Sequence, residues 1–193
     1  QGLVIVKISF EKDSYHPYAN AMGMILGSPK DQYSFKEYTE SGALAVATTT
    51  AAPLPDGEMD RSKKIYELFE GKKTWKQGLN SDLGRNHMWV LKQKGTKLEL
   101  EKSITNFGEP GEDIRSVRYA DDHAYVVTFK KTDPLYSFDM KDPLNFEMVG
   151  KLKIPGFSMY MHPAKDHTIG VGYDASEHGD FALYQGIQIS LFN

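Results

Sequence analysis

The chain has 193 residues with no cysteine, 40% hydrophobic and 25% charged residues, and a formal net charge of -3. A chain of this length buries a core without disulfides, and the missing thiols exclude zinc-thiolate sites and cysteine nucleophiles. The charge leaves no positive excess to hold a polyanion, so nucleic acid is not an expected partner, and no apolar run is long enough to read as a membrane span.

From the N-terminus, "QGLVIVKISF" (residues 1 to 10) alternates like a strand and lacks the ordered regions of a signal peptide. "YANAMGMIL" follows as a second strand. The layout then repeats: "YSFKEY" with "GALAVATTT", "IRSVRY" with "HAYVVTF", and "FSMYMH" with "HTIGVGYD" each form a strand, a turn and a strand. Aligning the second strands sets Val46, Val126 and Gly170 together. The last two lie about 44 residues apart, inside the 40 to 50 residues of a propeller blade.

The interval from Val46 to Val126 is longer because the connection between residues 51 and 86 carries a surplus of about 30 residues, which a surface loop tolerates cheaply. "RSKKIYELFEG" (61 to 71) within it has helical spacing of Ile65, Leu68 and Phe69. Third strands follow at 87 to 93, 135 to 140 and 186 to 192, and fourth strands at "TKLELEKSI" and "FEMVGKLKI" alternate as half-buried antiparallel strands require.

The expected fold is an all-β, partial β-propeller of about three to four blades of four-stranded antiparallel sheet with one long loop insertion. Residues 1–28 end one blade, 33–104 form a blade with the insertion at 53–86, 114–154 form another, and 157–193 make an incomplete one. Two sheets stacked face to face are the alternative.

The run "GEPGEDIRSVRYADDHAYVVTFKKTDPLYSFDMKDPLNFEMVGKLKIPGFSMYMHP", with "YSFKEYTESGALAVATTT" upstream and "IQISLF" downstream, resembles the secreted bacterial and archaeal C-terminal β-propeller family distantly related to WD40 repeats. The resemblance implies a propeller fold and export to the periplasm, cell surface or medium. It implies no catalytic residues.

Among candidate site residues, Ser34, Ser116 and Ser158 align at one position of the first strands, and their repetition points to a structural hydroxyl, with no G-x-S-x-G elbow for a nucleophile. Strand spacing places Ser116 and Arg118 on one face, with Tyr160 and His162 on the corresponding face of the next repeat. Together they could offer a cation, a phenol and an imidazole to an anionic ligand lining the channel. In the blander reading Arg118 pairs with a carboxylate and Pro163 holds His162 extended. "YDASEHGD" (173 to 180) collects Asp174, Glu177, His178 and Asp180 in a loop, but without an EF-hand's ligand spacing, so no metal or other cofactor is expected. Asp174 is kept as a rim residue for ligand contact.

These features point to a non-enzymatic binding scaffold for a protein or glycan partner that uses the loop-rich rim and the long insertion; Trp75 could anchor a partner there, but ordinary loop behaviour favours a solvated insertion covering a neighbouring blade. The alternative is a hydrolase or lyase acting on an extracellular polymer through Arg118, Tyr160 and His162. Unpaired strand edges at "LVIVKISF" and "GIQISLF" favour homo-association or completion within a longer ring.

Overall fold

The structure is a computed structural model that describes residues 2–54, 84–120, 122–129, 133–154, 156–164, 167–178 and 181–192. Most of the insertion, including the helix expected at 61–71 and Trp75, lies outside the described residues.

The described chain is all-β. The strands are β1 (Gly2–Phe10), β2 (Pro17–Leu26), β3 (Phe35–Tyr38), β4 (Ala43–Thr50), β5 (Arg85–Lys94), β6 (Lys97–Phe107) and β7 (Asp113–Ala120), followed by β8 (His123–Phe129), β9 (Asp133–Asp139), β10 (Glu147–Ile154), β11 (Phe157–Ala164), β12 (His167–His178) and β13 (Phe181–Phe192). They form three sheets, in the orders β1-β2-β6-β5-β4-β3, β10-β9-β8-β7 and β11-β12-β13. Consecutive strands from β3 to β6, β7 to β10 and β11 to β13 pair antiparallel, through short connections except between β4 and β5, which the insertion joins. Strand β7 contacts both β11 and the 3-10 turn Gln32–Ser34 that leads into β3, so the first strands of the three sheets gather on one side while later strands fan outward. This is the arrangement of a partial β-propeller.

Strand register makes the repeat concrete. Val46, Val126 and Gly170 pair with Phe35, Val117 and Met161 respectively. Both β7 and β11 carry a bulge, between Ile114 and Ser116 in one and between Ser158 and Tyr160 in the other. The alignment of the three serines is therefore corrected. Ser116 faces Val127 as Tyr160 faces Val171, whereas Ser158 faces Gly172 at the place where Ile114 faces Thr128. A slip of two residues keeps every side chain on its original face, so alternation alone could not expose it. Ser34 precedes β3, and its Oγ accepts the Lys30 and Asp31 amides at 3.1 and 3.3 Å, one half of a capping box that Asp31 completes.

Each interface between sheets has its own core. The β1-β2 hairpin packs on the first sheet around Trp89, Leu91, Leu98 and Ile25, and Gly23 lies so close to β6 that a Cβ there would overlap Leu98. The hairpin, expected to end a blade, reaches β6 through one parallel pair, Met22 and Lys97. Between the first and second sheets, Ala43, Ala45 and Ala47 receive Val126, Tyr136 and Phe138. Between the second and third, the buried set shrinks to Val127, Leu135 and Met161. The edge strands β1 and β13 each expose an apolar row, Val4, Val6, Ile8 and Phe10 on one and Ile187, Ile189 and Leu191 on the other.

The described base of the insertion is fixed by buried polar groups. Asn106, at φ 60°, accepts the Leu54 amide through Oδ1 and donates to its carbonyl through Nδ2, both at 2.7 Å. Its own amide donates to Nδ1 of His87 at 3.2 Å. Nδ1 is thereby an acceptor, so Nε2 carries the proton and donates to Thr50 Oγ1 at 2.8 Å, which in turn donates to the Ala52 carbonyl at 2.6 Å.

Burial, aided by the positive charge of Arg85, lowers the His87 pKa from 6.5 to about 3. The unfolded chain takes up this proton before the folded one. The stability contribution is thus complete above pH 6.5 and falls toward pH 3, with a slope of about 1.4 kcal/mol per pH unit. Urea unfolding at pH 7.5 and 5.5 should show a loss of about 1.4 kcal/mol for the native sequence, a loss that largely disappears in His87→Gln.

Candidate binding site where the first strands converge

Arg118 stands on β7 opposite Tyr125 and is only 8% exposed. Its Nε donates to the Met161 carbonyl on β11 at 2.7 Å, and Nη1 donates to the Val117 carbonyl at 2.6 Å. The guanidinium carbon lies 3.8 Å from the centre of the Tyr33 ring and 4.8 Å from that of Tyr160. A cation is thus held between two phenol rings, one supplied by the first sheet and one by the third. Burial of the charge is supported by two carbonyl acceptors and two ring faces, each ring contributing about 0.5–2 kcal/mol.

Among the described residues no carboxylate pairs with Arg118, whose partners there are these carbonyls and rings. A flat guanidinium fills the slot between rings and still reaches a neighbouring strand, which an ammonium cannot do. Tyr160 also stacks on His162, with centroids 6.3 Å apart and planes 23° from parallel, and its hydroxyl lies 3.3 Å from Nδ1. Tyr33 and Tyr160 are 46% and 45% exposed, so each ring offers Arg118 one part of its surface and solvent another.

The structure therefore brings together three of the residues singled out from the sequence, Arg118, Tyr160 and His162. Ser116 shares the region but is buried, and its Oγ has no hydrogen-bond partner among the described residues. Asp174 is exposed on β12, paired by backbone with Gly186, and its side chain makes no hydrogen bond or ion pair among the described residues. The segment containing it is strand up to His178, not loop. Among the described residues no group of three metal-ligating side chains occurs.

Tyr33 was not among the residues singled out. Strand alternation would set it on the face opposite Ser34. The 3-10 turn breaks that alternation and swings the ring toward Arg118. The available signal was "DQYS", where Asp31 and Ser34 have capping-box spacing.

The chain matches a family model described as "Beta propeller domain" over residues 2–193, and it belongs to that family. It is 46% identical over 109 residues to an uncharacterized protein of Methanocaldococcus jannaschii, a stretch covering 56% of this chain and 16% of that protein. It is also 32% identical over 190 residues to an uncharacterized protein of Archaeoglobus fulgidus, covering 98% of this chain and 23% of the relative. The chain thus spans less than a quarter of the length of these curated relatives. Among the described residues no helix is long and apolar enough to cross a membrane.

Replacing Arg118 removes two charge-assisted hydrogen bonds and both ring contacts. Arg118→Met should lower unfolding stability by about 2–4 kcal/mol, and Arg118→Lys should recover less than half of the loss. Urea unfolding monitored by circular dichroism measures both.

Proposed function

We propose that this propeller is an extracytoplasmic, non-enzymatic binding scaffold that holds a protein or glycan partner. The reading is supported by one observation: two half-exposed tyrosine rings, drawn from different sheets, are held in place by a buried arginine between them. Rigid aromatic surface binds partners at a small entropic cost because its side chains are already ordered. His162, exposed and stacked on Tyr160, widens the same surface. An extracytoplasmic setting follows the sequence resemblance to secreted propellers.

The test uses the immobilised chain against solubilised cell-envelope extract of the producing organism and against a glycan array. Saturable binding is expected, weakened about tenfold or more in a Tyr33→Ala/Tyr160→Ala double variant, compared at a temperature where circular dichroism shows both chains folded because loss of the two rings also lowers stability. Binding that survives the double variant overturns the assignment of the site to the paired rings. Absence of saturable binding in both arms overturns the scaffold reading, and new reducing ends released from a polymer overturn its non-enzymatic half.

A further inference from the structure

The second sheet meets its two neighbours with different faces. At equivalent positions of the third strands stand Trp89, Tyr136 and Ser190, and of the second strands Val46, Val126 and Gly170. The bulk that fills the first two interfaces is therefore missing from the third. Gly170 is required where it stands: a Cβ would lie 2.6 Å from Ser158 Oγ and 2.8 Å from Phe192 Cε2. Phe192 thus settles onto its own sheet. The space left between β8-β10 and β12-β13 is a groove of about 700 Å3, within the roughly 300–1,000 Å3 range of small-ligand sites.

The lining of the groove combines two kinds of surface. His123 and Tyr125 stack with planes 12° apart and centroids separated by 6.2 Å, an aromatic platform in the groove wall. Ser137 and Thr168 add hydroxyls, and Leu152 and Leu191 add exposed apolar surface. Charge is balanced and partly spent. Asp122 stands at the groove, while Lys151 is engaged 3.4 Å from Glu109 and 5.4 Å from the Tyr136 ring. A ligand with flat apolar faces, hydroxylated edges and no net charge matches this chemistry: the faces lie on the ring platform and the hydroxyls exchange hydrogen bonds with Ser137, Thr168 and Asp122.

We infer that the groove between the second and third sheets binds a short neutral saccharide segment. The inference rests on the scaffold reading and names a ligand class for it. Gly150 provides a clean probe, because it lines the groove and a Cβ there would meet only Ser137 Cβ, at 3.8 Å. Its backbone lies outside the left-handed region, so Gly150→Leu fills the groove without strain.

The experiment is an NMR titration of the isotopically labelled chain with cellohexaose, maltohexaose and chitohexaose, with oligogalacturonate as the anionic control. Saturable shifts at His123, Tyr125 and Ser137 with at least one neutral sugar are expected. Gly150→Leu should weaken that binding about tenfold or more at an unchanged unfolding midpoint, and Tyr125→Ala, which also removes packing against Val127, Leu135 and Met161, should weaken it when measured at a temperature where the variant is folded. Binding retained in Gly150→Leu overturns the inference, as does response of the groove to oligogalacturonate alone. Shifts confined to Tyr33 and Tyr160, or silence toward every sugar while the surface around those two rings captures a protein, overturn the groove and leave the scaffold reading standing.

Discussion

Complementary volume between neighbouring sheets is the constraint on which the rest of this molecule depends. A β-sheet offers alternate residues to its two faces, so each sheet must be thick where its neighbour is thin. The first sheet turns Ala43, Ala45 and Ala47 toward the second, which answers with Val126, Tyr136 and Phe138, and Phe107 meets both rings edge-on at 5.1 and 5.4 Å. On its other face the second sheet supplies the larger residues His123, Tyr125 and Val127 at the positions of those alanines, and the third sheet answers with Gly170 and Ser190. The exchange is incomplete, and the remainder is open space.

Polar groups tie these layers together wherever the apolar contact passes into backbone. Trp89 Nε1 donates to Thr48 Oγ1 at 2.8 Å, and that hydroxyl donates to the Leu26 carbonyl at 2.7 Å, linking the N-terminal hairpin to the first sheet. Asn86 donates to the Glu112 carbonyl at 3.0 Å and accepts from Thr49 at 2.8 Å, while Thr128 donates to the buried Glu112 carboxylate at 2.7 Å. Arg118 does the same for the third sheet through Met161. Buried donors and acceptors left unpaired would each cost about 1–3 kcal/mol, so these bonds constrain how neighbouring sheets sit against one another.

The two candidate surfaces differ in kind because of this architecture. Near the gathered first strands the sheets are close, and side chains from three of them meet around one guanidinium. Farther out along the strands the sheets diverge, and a small-residue substitution in the third sheet is not compensated. Rigid contact surface thus lies at the convergence, and an open groove lies between the second and third sheets.

The repeat, the all-β composition and the positions of most strands were legible in the chain because period-two alternation and turn residues are local signals. Arg118, Tyr160 and His162 were also legible as neighbours, since their register follows from the same repeat. What the chain alone could not show depended on contacts between elements distant in sequence. The bulges in β7 and β11 stand at equivalent places, and the pairing register sets Ser116 with Tyr160 instead of Ser158, a slip of two residues that leaves the face unchanged, while the turn before β3 redirected Tyr33. The ring partners of Arg118 and the unfilled groove beside Tyr125 arise from how much volume each sheet presents to the next. Alternation assigns a residue to a face, but only the packed tertiary structure determines what that face meets.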